Sequence, residues 1–254
     1  AGYDKSKAAI ALSELIKRSG HEVVGIVIVT PFSVKRLHQL ILQRGKEGLK
    51  TAIKKLLPGF SSSGGGVDYL ARYLEELGIV SRSLSHWAKN NAVPCKVVEN
   101  INSKESINFV SGKNIDALIY GGGGLLRKPL IDAANQTIIN PHCGPLPEIR
   151  GMNAIEWAFL LGFPLDVTVH FIDKGIDTGE IISRVPLTFN NDISMDELRA
   201  KAVISGITEI HRLLTIHDSI ESLPRQKNVG IVAGRQCYIM APALQELVAI
   251  RLQR

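Results

Sequence analysis

The chain has 254 residues, 45% of them hydrophobic and 21% charged, with a net charge of +6. That length suits one large α/β domain, or a medium domain with a small appendage, and such a core needs no metal or disulfide staple. Cys95, Cys143 and Cys237 are odd in number and scattered, and no apolar run approaches the roughly 20 residues of a bilayer span; this argues against a disulfide framework, a C-x-x-C zinc site and a membrane helix, with a cytoplasmic, reducing setting as the default.

Residues 5–17 read as a helix with Ala8, Ala9, Leu12, Leu15 and Ile16 on one face. Only Ala1, Gly2 and Tyr3 precede it, so the strand that an α/β sheet places before such a helix is expected upstream. Residues 21–30, HEVVGIVIVT, form a β-branched run expected as a buried parallel strand. Lys35, Arg36, Arg44, Lys46, Lys50, Lys54 and Lys55 then face Glu47 alone, interleaved with leucines and isoleucines at near-helical spacing. A basic amphipathic helix over 35–55 can meet RNA phosphates, an anionic membrane surface or a charged substrate. The other reading is a solvated lysine face over an ordinary core face.

Residues 58–66 (PGFSSSGGG) read as a loop, and 67–78 and 81–91 as helices. Together 31–91 form a helical insertion where a simple crossover needs far less chain. A strand over 95–99, a helix over 103–112 and a buried strand over 115–120 follow, the last running into Gly121, Gly122, Gly123 and Gly124. A helix over 126–134 leads to a strand over 137–140. Beyond it come a helix (153–161), two strands (166–172 and 180–187) and a helix from 194 to 216 with Ser194 as N-cap and Glu197 closing a capping box. A strand near 236–240 and a helix over 243–252 end the chain. Alternating strands and helices predict a mostly parallel sheet with right-handed crossovers, whose ligands bind beyond the carboxyl ends of the strands.

Two such ends carry unusual content. One is the glycine run after Tyr120. The other is INPHCGPLPEIRG, residues 139–151, in which Asn140 and His142 are two apart and so point to the same side of a strand. The glycine-containing loop 173–179 follows the next strand and brings Asp177 within reach of His142.

These segments resemble the formyltransferases that use 10-formyltetrahydrofolate. The family pattern is approximately N-x-H-P-S-L-L-P-x-x-x-G, then G-x-T-x-H, then D-x-G-x-I. The chain supplies Asn140, His142, Leu146, Pro147 and Gly151; then Thr168 and His170; then Asp177, Gly179 and Ile181. Cys143 and Gly144 depart from the commoner Pro-Ser. The resemblance implies a Rossmann-like fold, with 1–190 as catalytic domain and 191–254 as a short, mainly helical carboxy-terminal extension packed on it. It implies Asn140, His142 and Asp177 as catalytic residues. It also implies a folate pocket from Gly122, Gly123, Gly124, Leu125 and Leu126 with Ile172, Asp173 and Ile176, and no metal.

Those residue types suit the chemistry. Attack of an amine on a formyl carbon develops an oxyanion, which the Asn140 amide and a protonated His142 can stabilise. A carboxylate at Asp177 favours the charged imidazole and can accept the proton shed by the amine. Blander readings stand beside this one: Asp177 as a turn-former, His170 as a satisfied core histidine, Arg150 as an anion ligand or a pin for its turn. Cys143 adjoins His142 on a strand and so faces away from it. The acceptor expected is an anionic primary amine such as an amino-sugar nucleotide. tRNA is disfavoured, because little chain follows residue 187 to build the barrel of tRNA formyltransferases. A formyltetrahydrofolate hydrolase and a non-catalytic anion or RNA binder are the alternatives.

Overall fold

The computed structural model describes residues 1–30, 67–189, 193–229 and 234–253. The basic segment 35–55 and the loop 58–66 lie outside them. Several helices start where the sequence supplies a capping side chain. The Ser6 hydroxyl accepts from the Ala9 N–H to open α1 (Lys7–Arg18), and Asp68 and Ser83 do the same for α2 (Tyr69–Glu76) and α3 (Leu84–Asn90). Both of these helices pack on α1.

The strands are β1 (Gly2–Tyr3), β2 (Ile26–Val29), β3 (Cys95–Val98), β4 (Leu118–Ile119) and β5 (Ile138–His142), followed by β6 (Ile149–Gly151), β7 (Asp166–Phe171), β8 (Ile181–Pro186) and β9 (Arg235–Cys237). Gly2–Tyr3 pair in parallel with Ile28–Val29. This corrects the expectation that the whole first strand lies upstream. The order β1-β2-β3 forms one sheet and β4-β5-β7-β8 another. They run on into each other: the Gly121 N–H donates to the Ala1 carbonyl at 2.8 Å, and the Ala1 nitrogen donates to that of Ile119 at 2.9 Å. The combined order is β3-β2-β1-β4-β5-β7-β8, which reverses direction between β1 and β4. Crevices at such a switch point are where open α/β sheets take ligands. β7 and β8 run antiparallel to their neighbours, so the sheet is mixed, as a mostly parallel sheet with antiparallel edge strands.

Every residue of β2 is buried, and they alternate: Ile26 and Ile28 enter one core cluster, Val27 and Val29 the other. The first cluster holds α1, α3 and α7 (Met195–Ile216); the second holds α4 (Lys104–Ser111) and α5 (Lys128–Ala133). The sheet is thus covered on both faces, as its continuous apolar runs require. On β5, Ile139 joins the first cluster and Ile138 the second. Asn140 and His142 therefore share the α4–α5 face with Ile138. The 115–120 run shortens to Leu118–Ile119, and the next strand lengthens through Pro141 to His142 because β7 pairs along it.

β6 was not expected. Its partner, β9, lies far downstream and pairs with it in parallel. A third cluster gathers α6 (Ala154–Leu161), α7 and α8 (Pro242–Leu252) around Val167, Leu198 and Val248. Ser194 caps α7 by accepting from the Glu197 N–H at 3.1 Å. The Glu197 carboxylate instead accepts from Tyr69 and pairs with Lys201.

Candidate active site

The register of β5 against β7 sets Asn140 opposite His170 and His142 opposite Thr168. All four side chains occupy one face. The buried Thr168 hydroxyl donates to the Gly144 carbonyl at 2.8 Å and accepts from the Leu146 N–H at 3.1 Å. It thereby fixes the turn that follows His142. Gly144 fits because a Cβ there would lie 2.5 Å from that of Ala154.

His142 is 7% exposed. Its Nε2–H donates to the Ile149 carbonyl at 3.0 Å, which leaves Nδ1 facing the Asp177 carboxylate, 3.6 Å from Oδ2. At 3.6 Å the two face each other beyond hydrogen-bonding distance. His170 donates from Nδ1 to the Phe171 carbonyl at 2.7 Å and accepts at Nε2 from the Asn140 Nδ2 at 3.0 Å. Asp177 Oδ1 lies 3.6 Å from the same Nε2. Asn140 keeps a second N–H outside its bond to His170.

Asp177 adopts a left-handed backbone, φ 52°, which costs a non-glycine residue on the order of 1–2 kcal/mol. The Gly151 N–H donates to its Oδ2 at 2.7 Å. At Gly179 a Cβ would lie 1.9 Å from the Phe171 carbonyl oxygen, so the return of the loop requires glycine. Two segments well separated in sequence thus bring three groups together: the Asn140 amide and the His142 imidazole from β5, and the Asp177 carboxylate from its loop.

Burial, and then the neighbouring His142, bring the His170 imidazole down to about 4. Its folded value is therefore below the 6.5 of the unfolded chain. Between those values the unfolded state binds more protons, so stability is full above about pH 6.5 and falls as pH drops toward 4. About 2 kcal/mol is expected to go between pH 7 and pH 5. Urea titrations of the parent and of His170→Gln at both pH values check this. An equal loss in both proteins would show that His170 is not the source.

The residues expected to hold folate divide. Gly122, Gly123 and Gly124 all have positive φ, 115°, 134° and 103°, and a Cβ on Gly124 would meet nothing within 4 Å. Gly124 is thus open among the described residues, whereas a Cβ on Gly123 would lie 3.0 Å from Val29 and 3.1 Å from Ile101; the Tyr120 hydroxyl donates to the Gly124 carbonyl. Burial pushes that phenol up to about 12, and Tyr3 and Asp177 add to it. Leu125 and Ile176 are exposed beside these segments, whereas Leu126 and Ile172 belong to the second core cluster. Asp173 is spent on its own loop, accepting from the Gly175 N–H and the Thr178 hydroxyl. Its carboxylate shapes the Asp177 loop.

Arg150 donates to the Gly234 carbonyl at 2.7 Å and so pins its turn. Cys143 packs in the third cluster, where burial pushes its thiol up to about 12. That is no nucleophile at neutral pH. A cavity of about 390 Å³ lies elsewhere, between α1 and the amino-terminal sides of β2 and β4; none of Asn140, His142 and Asp177 lines it. Among the described residues no group of three or more His, Cys, Asp or Glu side chains could hold a metal, and no helix is long and apolar enough to cross a membrane.

Residues 100–205, which contain all three converging groups, match the family model described as formyl transferase. The likeness to that family is carried by this stretch. The methionyl-tRNA formyltransferase of Finegoldia magna is 26% identical over 132 residues, 51% of this chain and 43% of that one. The methionyl-tRNA formyltransferase of Solibacter usitatus is 31% identical over 110 residues, 42% and 35% of the two chains. The matches thus span less than half the length of these relatives. Their names leave the expectation against tRNA without support.

The fold is shared with solved formyltransferases. The N-formyltransferase of Helicobacter canadensis, in complex with folinic acid and dTDP-3-aminofucose, aligns over 99% of this chain and 78% of that one, with a TM-score of 0.57 and 15% identity. Phosphoribosylglycinamide formyltransferase from Bacillus halodurans aligns over 85% and 94%, with a TM-score of 0.53 and 19% identity.

Proposed function

We propose that the chain transfers the formyl group of 10-formyltetrahydrofolate to a primary amine, with Asn140, His142 and Asp177 as the catalytic residues. The single observation that carries this reading is the approach of His142 Nδ1 to Asp177 at 3.6 Å, on the face that Asn140 shares, within the formyl transferase segment. The open edge at Gly124 with Leu125 and Ile176 fits a flat, partly apolar heterocycle, which would bring an activated formyl group to the site.

The free N–H of Asn140 and the Nδ1 side of His142 receive the formyl oxygen as it gains charge. One such donor is worth about 2.7–4 kcal/mol elsewhere. Asp177 accepts the proton that the attacking nitrogen sheds, directly or through water. The new N–C bond forms as the carbon–nitrogen bond to the carrier breaks, and the carrier nitrogen leaves with a proton. His170, held neutral, orients the Asn140 amide by accepting one of its hydrogens.

The acceptor proposed is an anionic primary amine, in keeping with the net charge of +6; an amino-sugar nucleotide is the leading case. The test is the purified chain mixed with 10-formyltetrahydrofolate and a panel comprising an amino-sugar nucleotide, a ribonucleotide-linked glycinamide and methionyl-tRNA. Formylated amine and tetrahydrofolate in equal amounts are expected from one member. Tetrahydrofolate without formylated amine would make the protein a hydrolase. No turnover together with tight RNA binding would make it a binder.

A further inference from the structure

Residues 225–228 are Arg-Gln-Lys-Asn, a polar stretch that by pattern is a plain linker. The fold uses it as a strap across the Asp177 loop. The Arg225 guanidinium lies 4.0 Å from the Phe171 ring centroid and its Nη1 pairs with Glu180 at 3.0 Å. Gln226 and Ile181 exchange both backbone hydrogen bonds at 2.9 Å. Two residues on, the Asn228 Nδ2 donates to the Asp177 carbonyl at 3.0 Å and to the Gly179 carbonyl at 2.9 Å.

Those two bonds use both amide hydrogens and flank the left-handed residue. They also fix which way the amide points, since a flipped Oδ1 would face two carbonyls. Asn228 Oδ1 is buried with no partner among the described residues. An apolar side chain would avoid that orphan, yet leave the carbonyls of Asp177 and Gly179 unmet. A carboxylate of the same shape has no hydrogen to give. The carboxylate end of Asp177 is held as well: the Gly151 N–H donates to Oδ2, and β9 holds Gly151 through the pairing of Gly151 with Cys237.

We propose that Asn228 is a positioning residue for Asp177, holding the backbone on either side of it so that its carboxylate meets His142. The inference rests on the formyl-transfer reading. Displacement of a catalytic group by about 1 Å can cost roughly 100-fold, so Asn228→Ala is expected to lower kcat about 10- to 100-fold with both KM values changed less than about threefold. Asn228→Asp should fall as far, and Asn228→Gln should recover part of the rate by restoring a donor. A kcat for Asn228→Ala within about twofold of the parent would overturn the proposal.

A second measurement does not need turnover. In histidine-labelled protein, Asn228→Ala should move the His142 ring resonances toward their positions in Asp177→Ala, while circular dichroism remains that of the parent. Unmoved ring resonances would overturn the proposal even if the parent turned over no substrate. An inactive parent whose resonances do move would instead overturn the reaction assigned to the site and leave the positioning role standing.

Discussion

Replacing His142 with alanine is expected to reduce kcat for formyl transfer by about 1,000-fold or more while the far-ultraviolet circular dichroism stays that of the parent. The size follows from two losses at once. Removing an oxyanion donor costs about 100- to 1,000-fold, and the imidazole is also the group that faces the Asp177 carboxylate. The structural cost is smaller. The Ile149 carbonyl loses its Nε2 partner, a penalty of about 1–3 kcal/mol, which a melting curve would report as a drop of several degrees. Activity within about threefold of the parent would remove His142 from the reaction and return it to a role in pinning the turn at Ile149.

The second large effect is expected from Asp177→Asn. The amide is nearly isosteric, its oxygen can still accept from the Gly151 N–H, and the backbone contacts with Asn228 are untouched. What disappears is the charge and the ability to take a proton. A fall in kcat of about 100- to 1,000-fold is expected, with melting temperature nearly unchanged. The double variant His142→Ala with Asp177→Asn should be little slower than His142→Ala alone, because groups acting as a unit do not contribute independently. Multiplying losses in steady-state kinetics would show that the two act in separate steps.

Much of this arrangement is readable in the amino-acid order, for physical reasons that differ by element. β2 announces itself because both of its faces are covered, so all four residues are apolar and β-branched. Asn140 and His142 are readable as a pair because strand alternation puts them on one side. Asp177 is readable as a partner only because its loop is short and rich in glycine. β6 is not readable: three residues of mixed character become a strand only because Arg235–Cys237 arrive beside them. Asn228 is hidden for a related reason. Its partners are main-chain carbonyls, which every residue has, so no complementary side chain marks the contact. The roles of Asp173 and Arg150 turned on the same point, since Asp173 accepts from its own loop and Arg150 Nη2 donates to the Gly234 carbonyl.

The parallel pairing of β6 with β9 has a consequence for the order of events in synthesis. When residues 1–189 have left the ribosome, the sheet strands β1 to β5, β7 and β8 are all present, but β6 still lacks the partner strand that holds Gly151. The carboxylate cradle closes only after Arg235–Cys237 emerge. A nascent chain can therefore be largely collapsed while the Gly151 cradle of Asp177 is among the last parts to lock, as expected for contacts of long sequence separation.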